Sequence, residues 1–146
     1  MALKRSSTAV WHGTGPKGSG TLSTLSGAFK DQPYSASSRF QSEDGKAGTN
    51  PEELIAAAHA GCFTMALSFQ LTNAGFEPTE LRTEAVVSIE KQEPGWTITN
   101  INLNVTGKVP NVDAAKFEEL AQTAKKGCPI SRALASTNIT MSAKLA

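Results

Sequence analysis

The chain has 146 residues, with 14 Lys+Arg against 13 Asp+Glu and a formal net charge of +1. That length fits one domain able to bury roughly 68–70% of the surface its unfolded form exposes. The balanced charge supplies no electrostatic footprint for nucleic acid or an anionic membrane, so small molecules and proteins are the expected partners.

Lys4 and Arg5 near the N-terminus are not followed by an apolar run of signal-peptide length, and a cytoplasmic, reducing location is expected. Residues 3–12 and 19–29 read as two strands joined across Gly13-Thr-Gly15-Pro-Lys-Gly18. Tyr34 to Phe40 reads as a third strand after the turn at Asp31-Gln-Pro33, giving an antiparallel meander over residues 1–40. A polar loop, Gln41 to Thr49, leads into the strongest element. There Asn50 can cap, Pro51 suits the first helical position and Glu53 falls at the third, which predicts a capping box and a helix over about 50–74, ending before Gly75.

Leu54, Ala58, Cys62, Met65 and Phe69 share one stripe of that helix, and Ala57, Ala60, Phe63 and Leu67 widen it almost to the full circumference. A central helix buried nearly all round is expected. Its uncharged stretch, Leu54 to Phe69, has 16 residues and includes His59, Thr64 and Ser68, short of the ~20 apolar residues of a membrane span. Strands are predicted at about 83–91 and 97–109, separated by Glu93-Pro-Gly95. Asp113 to Lys126 reads as an amphipathic helix through Phe117, Leu120, Ala121 and Ala124, stopped by Gly127. Cys128-Pro129 restarts a short helix to about Ala135, and Asn138 to Leu145 closes as a strand. The order βββ-α-ββ-αα-β with antiparallel hairpins is α+β, a single domain over 1–146 whose C-terminal β/α part covers 80–146.

Two patterns are weaker than they look. Gly13-Thr-Gly15-Pro-Lys-Gly18 satisfies G-x-G-x-x-G but precedes a strand-like run, not the helix that would hold a pyrophosphate, so a hairpin loop is expected. The potential metal ligands His12, His59, Cys62 and Cys128 show neither C-x-x-C nor H-x-x-x-H spacing, and no metal is expected.

Cys62 and Cys128 are the only thiols. A thiolate that attacks an oxidant becomes a sulfenic acid, and a second thiol can condense with it to a disulfide, so a two-step thiol redox reaction needs two cysteines that can meet. Local surroundings rank them unequally. Cys62 lies in mid-helix among Ala60, Gly61 and Phe63, where burial raises a thiol pKa. Cys128 stands at a helix N-terminus with Lys125, Lys126 and Arg132 close in sequence, which favours it as the low-pKa thiol. His59, three residues before Cys62, reads as a polar contact in a tight helix-packing environment in preference to the base of an acyl-transferring cysteine.

The run Gly48-Thr-Asn-Pro-Glu52-Glu-Leu-Ile-Ala-Ala-Ala-His59-Ala-Gly-Cys62-Phe, with Ala124-Lys-Lys-Gly-Cys128-Pro-Ile-Ser131 downstream, strongly resembles the OsmC/Ohr family of peroxide reductases, in its osmotically inducible branch. Gln32-Pro-Tyr34, Ser38-Arg39-Phe40 and Asn73-Ala-Gly-Phe76 extend the similarity. The resemblance implies antiparallel sheets around two long central helices in an intertwined homodimer. It also implies a cofactor-independent thiol peroxidase of the osmotic and oxidative stress response, acting on organic hydroperoxides and hydrogen peroxide. By the same match Cys62 is the peroxidatic and Cys128 the resolving cysteine of a Cys62–Cys128 disulfide, Arg39 activates the thiolate and Glu52 orients Arg39. An external dithiol, such as a lipoylated protein, would reset the disulfide. A non-enzymatic thiol redox sensor is the alternative.

Glu52 and Cys62 are ten residues apart, which in an unbroken helix separates them by ~15 Å along the axis and turns them to different faces. Either the helix is interrupted, or Glu52 completes a partner's site.

Overall fold

The computed structural model describes all residues, Met1–Ala146, and the chain divides into two compact units, Met1–Leu54 and Ile55–Ala146.

The first unit is an antiparallel sheet of β1 (Ser7–His12), β2 (Ser19–Thr24) and β3 (Gln32–Ser35), in that order. His12 pairs with Ser19, so the glycine-rich stretch is the hairpin loop expected. Strand β2 stops at Thr24, short of the predicted 29. The Thr24 hydroxyl accepts the Phe29 amide proton at 3.0 Å and the Thr24 amide donates to the Phe29 carbonyl, closing a turn around Gly27, whose φ is 79°. The third strand is also shorter than predicted: Ala36–Phe40 forms a short helix, α1. Ser35 caps it by accepting from the Ser38 amide, and Ser38 Oγ accepts from the Ser35 amide, both at 3.0 Å. This serine-serine capping box offers the backbone a helical alternative to the strand that the residues Tyr34 to Phe40 otherwise suggest.

Helix α2 runs without interruption from Pro51 to Asn73. Asn50 caps it, Oδ1 accepting from the Glu53 amide at 2.8 Å. The predicted capping box is not completed, because the Glu53 carboxylate accepts from Thr49 Oγ at 2.8 Å. At the other end Gly75, at φ 89°, allows the Phe76 amide to reach back to the Leu71 carbonyl and the Gly75 amide to reach that of Thr72.

The second unit holds β4 (Glu80–Lys91), β5 (Trp96–Lys108) and β6 (Asn138–Leu145) in one sheet, with α3 (Ala114–Gly127) and α4 (Pro129–Ala133) between β5 and β6. The β4–β5 pair is the antiparallel hairpin expected. Strand β6 lies parallel to β5, which corrects the all-antiparallel expectation: the chain returns through α3 and α4 before pairing, and such a crossover delivers the strand in the same direction as the first. Its register is marked by polar rungs on one face, Asn138 to Asn100, Asn102 to Thr140 and Ser142 to Asn104, at 2.7–3.0 Å. The alternate residues Ile101, Leu103 and Val105 point into the core.

That core also takes Phe63, Leu67 and Leu71 of α2 and Phe117, Leu120, Ala121 and Ala124 of α3. Helix α3 therefore matches its predicted apolar stripe, while α2 does not match its own. Only one side of α2 is covered in the single chain: Met65 and Phe69 are 64% and 63% exposed, and Ala57, Ala58 and Gly61 are exposed too.

Gly107 of β5 lets α3 approach the sheet. A methyl group there would stand 2.6 Å from Cζ of the fully buried Phe117. Gly107→Ala is expected to destabilise the fold by about 1–3 kcal/mol through overpacking, read as a lower urea midpoint with unchanged slope. The Phe117→Leu background should recover part of that loss.

Candidate functional site

Two side-chain clusters hold the residues singled out by sequence. In the second unit, Cys62 of α2 and Cys128 are free thiols, with the Cys128 Sγ–H donating to Cys62 Sγ at 2.9 Å. Cys128 is the last residue of one helix and the first of the next. Its amide donates to the Ala124 carbonyl, closing α3, and its carbonyl accepts from the Arg132 amide, opening α4. Pro129 forces this break, since it has no amide proton to continue α3 yet suits the first turn of a new helix.

The local argument that favoured Cys128 as the reactive thiol is not realised. Cys128 is 0% exposed and makes no side-chain cap bond, while Lys126 and Arg132 point to solvent. The backbone amide of Ile130 instead donates to Cys62 Sγ, favouring its thiolate. Opposing that amide, burial pushes the Cys62 thiol above its ordinary value, and a negative charge on neighbouring Cys128 acts in the same direction. Cys62 is only partly buried, so it is the member of the pair that a solute can meet.

In the first unit, Arg39 in the last turn of α1 meets Glu52 in the first turn of α2 through two parallel bonds: Nη2 to Oε1 at 2.7 Å and Nε to Oε2 at 3.2 Å. The guanidinium carbon lies 4.8 Å from the centre of the Phe40 ring. Glu52 is buried and Arg39 is about one-third exposed, so the fork is oriented while part of its donor surface stays open. Arg5, the other arginine near the start, donates to the Lys4 carbonyl in an exposed position. Because α2 is unbroken, the interrupted-helix alternative for bringing Glu52 to Cys62 is excluded.

Residues 43–144 match the family model described as OsmC-like protein. The chain belongs to the OsmC-like family. It is 48% identical over 134 residues to peroxiredoxin OsmC of Escherichia coli, 92% of each chain being covered. It shares 28% identity and a TM-score of 0.73 with the crystal structure of the organic hydroperoxide resistance protein OhrB of Bacillus subtilis, over 99% of this chain and 98% of that one. An OsmC-like protein of unknown function from Vibrio cholerae aligns with a TM-score of 0.76 at 16% identity, covering 97% and 99% of the two chains, a likeness of fold.

This OsmC-like chain holds one further pair beside the thiols. His59 is 0% exposed, and its Nε2 lies 2.7 Å from Oγ of the buried Ser131. Its Nδ1 is buried with no partner. An orphaned buried N–H costs more than an unused lone pair, which favours the tautomer in which Nε2–H donates to Ser131. The expected polar contact in a packed environment is what His59 makes. The role of Ser131 and the Ile130 amide escaped the sequence reading, although the spacing carried a signal: His59 precedes Cys62 by three residues, and Ser131 follows Cys128 by three.

Burial lowers the His59 pKa below its ordinary 6.5. The unfolded chain therefore binds this proton first as pH falls, and native stability is lost from about pH 6.5 downward until the folded-state value is passed. In His59→Gln that component is expected to vanish, so the stability difference between the two proteins should shrink or reverse on acidification from pH 8 to pH 5 in urea titrations.

Proposed function

We propose that this chain is a cysteine-based peroxidase that reduces organic hydroperoxides and hydrogen peroxide, in defence against oxidative and osmotic stress. The observation that carries the reading is the contact between a partly exposed thiol, Cys62, and a fully buried one, Cys128. The names borne by the relatives, peroxiredoxin and organic hydroperoxide resistance protein, agree with it.

In this mechanism the Cys62 thiolate attacks one peroxide oxygen. An S–O bond forms, the O–O bond breaks, and the leaving alkoxide or hydroxide takes a proton and departs as alcohol or water. Cys128 then attacks the sulfur of the Cys62 sulfenic acid, forming the disulfide as the S–O bond breaks and water leaves. The peroxide is reduced by two electrons drawn from the two thiols. An external dithiol, such as that of a lipoylated protein, returns them, and no cofactor is required. The burial of Cys128 suits the second role, since it is shielded from peroxide and faces Cys62 alone. Steady consumption of peroxide with a dithiol separates this from a non-enzymatic redox sensor.

Activation of Cys62 needs a cation to oppose the burial that raises its pKa. Arg39, oriented by Glu52, is our assignment: an opposite charge within roughly 4–6 Å lowers a thiol pKa by about 1–3 and can bind the departing oxygen. With ~15 Å of unbroken helix between Glu52 and Cys62, we place this pair in the site of a second copy. The active unit in this reading is an intertwined homodimer in which two copies of α2 form the centre and the whole chain acts as one domain. Exposed Met65 and Phe69 and the small residues Ala57, Ala58 and Gly61 support it, because they allow two such helices to pack closely. A cytoplasmic location belongs to the same proposal.

Single-turnover reaction with cumene hydroperoxide tests the roles. Cys128→Ser should complete one turnover and accumulate a trappable sulfenic acid on Cys62, whereas Cys62→Ser should be inert; rapid sulfenic acid formation on Cys128 in the latter would reverse the assignment. Arg39→Ala is expected to lose about 100- to 1,000-fold in kcat/KM. Refolding Arg39→Ala together with Cys62→Ser should restore about a quarter of the wild-type rate, since half the dimers are mixed and each mixed dimer has one complete site. Failure to complement would place Arg39 in the site of its own chain.

A further inference from the structure

Helix α4 has five residues, too few to hold itself in place, since a helix this short cannot recover its nucleation cost. Its position relative to α2 therefore depends on tertiary contacts, and the directional ones fall in two places. One is the Cys62 sulfur, which meets Cys128 Sγ and the Ile130 amide, and the other joins His59 to Ser131. The Cys62–Cys128 and His59–Ser131 contacts are displaced from one another by three residues on both segments. Apart from these contacts, α4 offers only Ile130 and the following Leu134 as partly buried apolar anchors, and such packing is non-directional.

The two places differ in what happens to them during the proposed reaction, on which this inference rests. Once Cys62 becomes a sulfenic acid, an oxygen occupies part of the space at its sulfur, and the contacts made to that sulfur must rearrange around it. The His59–Ser131 bond is chemically unchanged. It is also sheltered from water, so breaking it leaves a buried hydroxyl and a buried ring nitrogen without partners.

We propose that His59 and Ser131 are positioning residues for the resolving step, their hydrogen bond holding α4 so that Cys128 reaches the Cys62 sulfenic acid before a second peroxide does. No new bond is made or broken by this pair. Its effect is on the partition of one intermediate: attack by Cys128 gives disulfide and water, whereas attack by the sulfenate on another peroxide gives sulfinic acid and alcohol.

Stopped-flow measurement of the full dimeric protein separates the two steps, with sulfinic acid at Cys62 scored by mass spectrometry after many turnovers. Ser131→Ala and His59→Leu are each expected to slow disulfide formation on the order of tenfold to a hundredfold, as a misplacement of about 1 Å does. The peroxide step should change much less, and sulfinic acid should accumulate. His59→Gln, whose amide nitrogen can stand where Nε2 does, should restore most of the resolving rate. The double variant Ser131→Ala/His59→Leu should be no slower than the worse single, because both remove one bond. Resolution at the wild-type rate in both single variants, or equal slowing of both steps, overturns the proposal. Where Ser131→Ala does not fold by circular dichroism, the contrast between His59→Gln and His59→Leu decides alone, and equal resolving rates in those two overturn it. A wild-type protein that forms no sulfenic acid on Cys62 overturns the peroxidase reading itself, a distinct result.

Discussion

The rest of the structure depends on the seating of α2, whose side chains at four-residue intervals, His59, Phe63, Leu67 and Leu71, are all buried. A helix is stiff over this length, so burying that stripe fixes the rotation of every other residue along it. Cys62, next to Phe63, is left at the edge of the buried side, half covered and turned to Cys128. Met65 and Phe69 are turned to solvent. The same rigidity keeps Glu52 ten residues from Cys62 along the rod.

The segment opposite α2 owes its geometry to Pro129. By ending α3 and starting α4 at a single residue, it sinks the Cys128 side chain into the core and leaves the Ile130 amide free to serve another sulfur. The two thiols are thereby made unequal without any difference in their own chemistry. One is partly exposed and receives an amide; the other is fully buried against it. The Ile130 amide at this helix start acts on the thiol of α2, whereas Lys126 and Arg132, near Cys128 in sequence, are exposed to solvent.

Polar groups in this core are few and directed. His59 Nε2 and Ser131 Oγ pair across 72 residues of chain, while on the exposed face of the sheet the Asn, Thr and Ser rungs of β5 and β6 align a parallel pair whose inner face is wholly apolar. Such bonds add little net stability, but each penalises alternative placements, because a slip leaves a buried group unpaired or turns an apolar residue outward. Specific placement is what a reaction between two sulfurs requires.

The amino-acid sequence by itself determined the elements whose signals are local and strong: α2, with Asn50, Pro51 and Gly75 at its ends; α3, with its apolar stripe and Gly127; the β4–β5 hairpin; and the two thiols as a candidate pair, whereas Arg39 and Glu52 entered as candidates through the family resemblance alone. Short-range competition misled it at Ser35 to Phe40, where two serine hydroxyls outweigh strand propensity, and at Thr24, where one threonine closes a turn. Tertiary structure alone decided which side of α2 is covered, that β6 runs parallel to β5, that the Ile130 amide serves Cys62, and that Ser131 pairs with His59. These are relations between segments up to 72 residues apart, and residue type and periodicity describe a segment's own faces without saying what will be packed against them.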